Sequence, residues 1–405
     1  MTTGLSGNEI FCLQLKNYSP GPIVVGNSVH SLGMLGGLKS GLRAIVGGEV
    51  EQVTSLIEDG RETAYKRMQE EAEKQNATGI TGVTSQLILH GTNIEFLSIG
   101  SCVYSTQGQN SNRFSSTADG QELFAQLDAG YKPICFALGN VAYSMGVKGG
   151  VLGSLKTLGR GEIKEFSDIF NKTRHLALER IVTHAKQNQA NAVLGIKTTI
   201  LPLANLSEML MLGTASHHPD LTPHSNIDVI TSDMTNIEMW NIARSGYAPL
   251  KLLLGTSVYS LGFVGNVKAI LKSFVRGELT ELTQLLYNAR ENALAIINDE
   301  AKSIGADDVI GVKTYVYQLG NGLIEFLAIG TAVKKTDAAK TLSDQLPPQA
   351  IVVDQDTFYQ SNNPLGLNVN INSGEKPVNN ASPTSFIILM LYVLVFFYFF
   401  LHGYH

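Results

Sequence analysis

The stretch SVYSLGFVGNV, residues 257–267, decides the fold because this chain carries it in three versions. The other two are SVHSLGMLGGL at residues 28–38 and VAYSMGVKGGV at residues 141–151. The correspondence continues on both sides of each phrase, well beyond the quoted residues. Repetition at a nearly constant spacing indicates a tandem array of one structural unit. We therefore predict three copies of the same small fold.

Six glycine positions recur in all three copies, which indicates that one backbone geometry is used three times. They are Gly26/Gly139/Gly255, Gly33/Gly146/Gly262, Gly36/Gly149/Gly265, Gly48/Gly161/Gly277, Gly82/Gly195/Gly311 and Gly100/Gly213/Gly330. Glycine is required where a positive φ or a close approach of two backbones leaves no room for a Cβ. We therefore predict tight turns and close helix-to-strand packing at these positions.

Each copy begins upstream of the quoted phrase, with a segment that keeps a Glu, an aromatic residue and a Tyr-x-Pro motif in register. These segments are EIFCLQLKNYSP at 9–20, ELFAQLDAGYKP at 122–133 and EMWNIARSGYAP at 238–249. The resulting organisation is repeat 1 at 8–105, a linker at 106–120, repeat 2 at 121–218, a linker at 219–236, repeat 3 at 237–336, a flexible polar spacer at 337–385 and an apolar tail at 386–401. The linkers and the spacer are polar and rich in turn-forming residues, as connecting segments usually are.

Within each copy the pattern predicts a short lead helix, a strand, a short helix, a long helix and a β-hairpin. The dipeptide Gly-Glu is predicted to open the long helix, which places Glu49, Glu162 and Glu278 in its first turn, where the helix dipole favours a carboxylate. The predicted fold class is α+β, with three tandem β-α-β-β units and antiparallel sheets. Such a small sheet leaves strand edges unpaired, so we expect the units to oligomerise.

A known family shares these features. At GLRAIVGGEVEQ (41–52), ARENALAIINDEAKSIGADDVIGVKTYVYQ (289–318) and IEFLAIGTAV (324–333), the chain resembles the YbjQ-like family, often labelled heavy-metal-binding. All three copies share the resemblance, and the third carries it most strongly. It implies a dodecin-subunit-like fold whose single-unit members assemble as pentameric rings. This chain departs from the family pattern in its triplication and in its hydrophobic tail.

The residues themselves give little support for a metal site. A soft-metal site needs Cys or His ligands at defined spacing, and no such column recurs, since His30 aligns with Tyr143 and Tyr259. The three cysteines, Cys12, Cys102 and Cys135, are too few and too scattered for a disulfide framework. One local cluster, His217, His218 and His224, is a weak metal candidate, and the alternative interpretation is a polar linker.

Two charged columns recur in all three copies and are the candidate ligand or interface residues. They are Arg61, Arg174 and Arg290, together with Glu95, Glu208 and Glu325. One interpretation is a small anionic ligand bound between units, because the planar fork of Arg suits bidentate recognition. The other interpretation is an ion pair that sets the register at an interface between units. We favour the interface, because the seams of an oligomer need such pairs.

No set of catalytic residues accompanies the repeats, so we predict that the protein is not an enzyme and needs no cofactor. Ser31, Ser144 and Ser260 recur without a His or Asp column to activate a nucleophile. The Gly-x-x-Gly phrase of each copy follows a strand, which favours tight strand-to-helix packing over nucleic-acid binding. A net charge of −5 over 405 residues also gives no basic face, so no nucleic-acid partner is expected.

The tail FIILMLYVLVFFYFFL, residues 386–401, contains only apolar and aromatic residues. As a helix it would span about 24 Å, against a hydrocarbon core of about 30 Å. A core helix would be amphipathic, whereas this segment is apolar all round. We predict a single-pass C-terminal membrane anchor that includes Phe386, Leu391, Phe396 and Leu401, with the repeats facing the cytoplasm. The alternative is a hydrophobic plug inside the oligomer.

The leading functional hypothesis is a membrane-anchored homo-oligomeric scaffold built from rings of these units. Three units per chain cannot tile a five-unit ring with whole chains. Either five chains stack three rings coaxially, or the number of units in a ring is a multiple of three. We favour the stack, with a pentamer of chains and a lipid membrane as partners. The alternative function is a metal- or small-anion-binding protein with sites between the units.

Overall fold

The structure is a computed structural model, and it describes residues 2–31, 48–90, 93–107, 113–144, 161–203, 206–221, 227–260, 280–320 and 323–349. All of these lie in one compact unit, Met1–Ile351. The same order of elements occurs three times along them, which confirms the tandem copies. The short helix predicted between the first strand and the long helix lies outside the described residues in every copy.

Each repeat supplies a lead helix, a long first strand, a long helix and a hairpin. Repeat 1 contains α1 (Gly7–Leu15), β1 (Tyr18–Ser31), β2 (Gly48–Glu49), α2 (Glu51–Lys74), β3 (Gly79–His90) and β4 (Asn93–Ser105). The first linker contributes β5 (Phe114–Ser115), and repeat 2 contains α3 (Gly120–Asp128), β6 (Lys132–Ser144), β7 (Gly161–Glu162), α4 (Lys164–Gln187), β8 (Ala192–Leu203) and β9 (Leu206–His217). The second linker contributes β10 (Ile230–Thr231), and repeat 3 contains α5 (Asn236–Arg244), β11 (Tyr247–Ser260), α6 (Thr280–Ser303), β12 (Asp308–Gly320) and β13 (Leu323–Lys335).

The strands form three sheets, one for each repeat, and the α+β class is as predicted. The strand orders are β1-β4-β3-β5, β10-β8-β9-β6-β2 and β12-β13-β11-β7. In each sheet the last strand of the repeat lies between the other two and pairs antiparallel with both. The prediction of purely antiparallel sheets needs one correction, because the linker strands β5 and β10 pair parallel with β3 and β8. The linkers are therefore part of the sheets.

Two short strands cross from one repeat to the next. β2 pairs with β6 of repeat 2, and β7 pairs with β11 of repeat 3. The prediction that Glu49 and Glu162 lie in the first turn of the long helix is therefore wrong, because each occupies one of these strands. The preceding residues Gly48 and Gly161 have φ of +101° and +140°. These positive φ angles, which glycine adopts readily, turn each Gly-Glu dipeptide towards the edge of the neighbouring sheet. Glu278 lies outside the described residues.

The long helices press closely onto the first strands, as the small residues in the repeats predict. A Cβ built on Gly26 would lie 2.1 Å from the carbonyl oxygen of Ala64 on α2. At the matching position in repeat 2, a Cβ on Gly139 would lie 2.3 Å from the carbonyl oxygen of Ala177. No side chain fits at such distances, so these strand positions require glycine.

The hydrophobic core continues from one repeat into the next. Leu252 on β11 packs in the same cluster as Phe170 and Ile181 of α4. Phe136 on β6 likewise joins Met68 of α2. Consecutive repeats therefore stand side by side within one row, each covering the long helix of the repeat before it.

The membrane localisation expected from the sequence is contradicted. In the part of the chain that the structure describes, no helix is both long enough and apolar enough to cross a bilayer. The long helices are amphipathic, since α2 buries Ile57 and Met68 and exposes Lys66 and Glu70. The residues named for the anchor, Phe386, Leu391, Phe396 and Leu401, lie outside the described residues.

Candidate functional site

The boundary between repeats 1 and 2 contains a buried ion pair formed by two of the recurring charged residues. Arg61 on α2 donates from Nε to Oε1 of Glu208 on β9 at 3.1 Å, and from Nη2 to Oε2 at 2.8 Å. Its remaining Nη1 donates to the hydroxyl and the carbonyl oxygen of Ser85. Both charged side chains are 1% exposed or less. The bidentate geometry fixes the position of repeat 2 against repeat 1.

The boundary between repeats 2 and 3 repeats this contact with the matching residues. Arg174 on α4 donates to Glu325 on β13 from Nη2 at 2.8 Å and from Nε at 3.2 Å. The guanidinium also lies over the rings of Tyr143 and Phe170, at 4.8 and 5.5 Å from their centroids. Burial by itself lowers the pKa of Arg174, but Glu325 and Tyr143 together outweigh burial and hold the pKa above its ordinary value. Arg174 therefore stays charged.

The third pair predicted from the columns does not form within the chain. Arg290 on α6 is half exposed, and its carboxylate neighbour among the described residues is the adjacent Glu291, at 3.3 Å. Glu95 on β4 is bound by His90 and Asn27 of its own repeat, and these hydrogen bonds lower its pKa. Repeat 3 thus retains a donor, and repeat 1 an acceptor, of the contact used at both boundaries.

These geometries bear on the two interpretations of the charged columns. A carboxylate already occupies the fork of Arg61 and of Arg174, and both pairs are closed to solvent. A small anion would have to displace Glu208 or Glu325 and leave that carboxylate buried without a partner, which costs several kcal/mol, about 3–5 for a buried pair. The arrangement therefore suits an interface between repeats better than a ligand site.

A hydroxyl cluster ties each linker to the following repeat, and our sequence reasoning missed it. Thr214 on β9 lies within hydrogen-bonding distance of the hydroxyls of Ser116 and Thr117, at 3.1 and 2.9 Å. At the second boundary, Thr331 on β13 contacts Ser232 and Asp233 in the same way. The recurrence of Ser116 and Ser232 before the lead helices of repeats 2 and 3, and of Thr214 and Thr331 in their last strands, was the available signal.

Asp128, at the end of α3, joins all three repeats and was also missed. Its carboxylate accepts hydrogen bonds from Lys16 of repeat 1, Trp240 of repeat 3 and Ser343 beyond repeat 3. Burial raises the pKa of Asp128, but these donors outweigh burial and hold the pKa below its ordinary value. No sequence signal could have identified it, because Leu15 occupies the matching position in repeat 1.

The histidine cluster is divided among different surroundings. His218 is buried, with Nε2 3.2 Å from the carbonyl oxygen of Ala129 and Nδ1 accepting from the backbone N–H groups of Asp220 and Leu221. Burial lowers the pKa of His218, so it is a neutral structural histidine. His217 is exposed, and His224 lies outside the described residues.

The donors that the structure describes do not fit a heavy-metal ion. Among the described residues, no group of three His, Cys, Asp or Glu side chains is close enough to hold a metal. Cys12, Cys102 and Cys135 lie on different elements, and burial raises the pKa of each thiol to about 11. A cysteine binds a soft metal ion as the thiolate, which such pKa values disfavour at neutral pH.

Comparison with known proteins agrees with the repeat pattern. The YbjQ family, described as "Putative heavy-metal-binding", matches residues 15–104, 131–218 and 229–336. An encapsulin nanocompartment protein of Mycobacterium tuberculosis is 30% identical over 209 residues, which cover 49% of this chain and 78% of that protein. A UPF0145 protein of Saccharolobus islandicus is 38% identical over 112 residues, 28% of this chain and 93% of the relative. A UPF0145 protein of Enterococcus faecalis is 35% identical over 88 residues, 22% of this chain and 84% of the relative. The chain belongs to the YbjQ family, of which it carries three copies in tandem.

Proposed function

We propose that the protein is a non-enzymatic structural scaffold that self-assembles through the side faces of its repeats. Its working units are residues 8–105, 121–218 and 237–336. Arg61, Arg174 and Arg290 act with Glu95, Glu208 and Glu325 as interface residues. The role of the protein lies in the assembled body that these units form, and no cofactor takes part.

The observation that carries this proposal is the buried Arg–Glu pair found at both boundaries. A scaffold needs one contact that can be repeated, and the pairs Arg61–Glu208 and Arg174–Glu325 are the same contact used twice. Around each pair the cores of neighbouring repeats are continuous, which is typical of permanent interfaces. The chain is therefore built on an interface that can extend beyond one molecule.

The similarity to the relative from Mycobacterium tuberculosis also supports a role in assembly. Its name describes it as an encapsulin nanocompartment protein, which is a name for an assembled compartment. The shared region covers most of that protein, so the YbjQ units belong to the part that the two chains have in common. By this likeness we assign an assembly role to the present chain.

Native mass spectrometry of the full-length chain tests the proposal, with elemental analysis of the same sample. We expect a discrete oligomer whose mass is a whole multiple of the chain mass, without additional bound mass. A monomer at micromolar concentration would contradict the scaffold. An oligomer that carries one metal ion or one small molecule per repeat would instead support a binding protein.

A further inference from the structure

The two ends of the row of repeats expose residue positions that are covered at the internal boundaries. At the first end, Ile23, Val25 and Val29 on β1 are 41 to 59% exposed. The matching residues of repeat 2, Phe136, Leu138 and Ala142, and of repeat 3, Leu252, Leu254 and Val258, are all 5% exposed or less. The difference arises because repeats 2 and 3 each have a repeat before them, whereas repeat 1 has none.

At the opposite end of the row, repeat 3 exposes a residue whose counterparts in repeats 1 and 2 are buried. Val312 on β12 is 42% exposed, whereas the matching Val83 and Ile196 are buried by the repeat that follows them. Val316 on β12 and Tyr287 on α6 are also large apolar or aromatic side chains, 55% and 51% exposed. These three residues form the uncovered face of repeat 3. A soluble surface rarely gathers such residues without a partner.

The charges at the two ends are complementary as well. At both boundaries the Arg belongs to the earlier repeat and the Glu to the later one. The uncovered face of repeat 3 therefore carries the donor Arg290, now in an exposed pair with Glu291. The uncovered face of repeat 1 carries the acceptor Glu95, now bound by His90 and Asn27 of its own repeat. A face with the donor and a face with the acceptor join in head-to-tail fashion, and such contacts close into rings when the rotation allows.

We propose that the uncovered face of repeat 3 binds the uncovered face of repeat 1 in a second copy of this chain, with Arg290 paired to Glu95 of that copy. This inference rests on the proposed scaffold function and names its interface. The apolar residues of β1 cover Val312 and its neighbours, as Phe136 and Leu252 do at the internal boundaries. A closed ring then contains a multiple of three repeats, and the smallest closed form consists of two chains and six repeats.

Charge reversal of the full-length chain tests this interface. Arg290→Glu and Glu95→Arg each place like charges opposite each other, so association of either variant with itself should weaken by about 100-fold or more. The double variant, with both reversals in one chain, restores opposite charges and should recover much of the association. An equimolar mixture of the two single variants should form complexes with one ion pair restored per contact. Sedimentation velocity over a concentration series measures each of these.

Two charge reversals away from the proposed interface serve as matched controls. Glu165→Arg and Lys172→Glu reverse exposed charges on α4 of the middle repeat, and they should leave association unchanged. If the wild-type chain is an oligomer and the single reversals associate as tightly as it does, the head-to-tail interface is wrong although the scaffold stands. If the wild-type chain is monomeric, both proposals are wrong. Deletion of residues 350–405 shows whether the tail, rather than a second copy, covers the two faces.

Discussion

Arg174 and Glu325 lie 151 residues apart in the sequence, yet Nη2 of the arginine is 2.8 Å from Oε1 of the glutamate in a site closed to solvent. Arg61 and Glu208, 147 residues apart, form the same contact one repeat earlier. Because each Arg pairs with the Glu of the next repeat, a row of three repeats satisfies two pairs and leaves one Arg and one Glu at its ends. These two residues are Arg290 and Glu95, which the proposed contact between two chains would pair.

Removing one partner of a buried pair should destabilise the fold strongly. Arg174→Met leaves Glu325 buried without a counter-charge, and we expect the free energy of unfolding to fall by about 3–5 kcal/mol. Urea denaturation at a fixed protein concentration measures the change. Lys172→Met on the same helix is exposed and should change stability by less than about 0.5 kcal/mol. Replacing both partners, Arg174→Met with Glu325→Leu, should recover most of the loss. Equal stabilities of Arg174→Met and Lys172→Met would contradict the role of the pair.

Glu122, near the start of α3, should make stability depend on pH. Burial raises its pKa to about 7, and the neighbouring Asp119 carboxylate acts in the same direction. The folded chain then keeps a proton that the unfolded chain loses above about 4.5, so stability decreases as the pH rises from about 4.5 to 7. Glu122→Gln should remove this decrease and raise the free energy of unfolding at pH 8 by up to about 3 kcal/mol.

Urea denaturation of the wild type and of Glu122→Gln between pH 5 and pH 8 decides this prediction. The two stabilities should agree near pH 5 and diverge as the pH rises. Glu70→Gln, at an exposed position of α2 away from Glu122, is the matched control. Its pH profile should follow that of the wild type. Parallel profiles for all three proteins would show that Glu122 does not titrate in this range.

Asp128 should hold the lead helices and the segment after repeat 3 together. Asp128→Asn presents an amide to four donor groups, and we expect a loss of about 2–3 kcal/mol, with faster hydrogen exchange at Ser343. Because the folded-state pKa of Asp128 is lowered, its contribution is present above its ordinary pKa of 3.8 and is lost as the pH falls through the folded-state value. Asp344→Asn, in the exposed pair with Arg244, should cost less than about 1 kcal/mol. A similar loss in both variants would contradict the special role of Asp128.

Gly139 should not tolerate even one methyl group. The Cβ of Gly139→Ala would lie 2.3 Å from the backbone oxygen of Ala177, so α4 must move away from β6. We expect a loss of about 1–3 kcal/mol, as in other overpacked cores, measured by thermal unfolding. Gly7→Ala, in α1, has no atom within 4 Å of the new Cβ and should be neutral or stabilising by about 0.5–1 kcal/mol. Unchanged stability of Gly139→Ala would mean that the helix and strand are farther apart than described.

The amino-acid sequence by itself determined the number of repeats, their family and the elements within each. These follow from local patterns, because hydrophobic spacing defines helices and strands, and recurring glycines such as Gly139 mark places where two backbones meet. It also identified the two charged columns. It could not say whether an Arg pairs within its own repeat or with the next one, since the columns are the same in both cases. The membrane localisation that we predicted from the sequence was wrong.

Only the tertiary structure decided how the repeats are joined. The pairs that join them are formed by residues about 150 positions apart, and no local pattern records which distant residues become neighbours. The same holds for the strand formed by Gly48 and Glu49, which looks like a helix start until the edge of β6 is available to pair with it. Asp128 is the clearest case, because it has no counterpart in the other repeats, and its role exists only where three lead helices meet. Repetition encodes the unit, and packing between units decides the architecture.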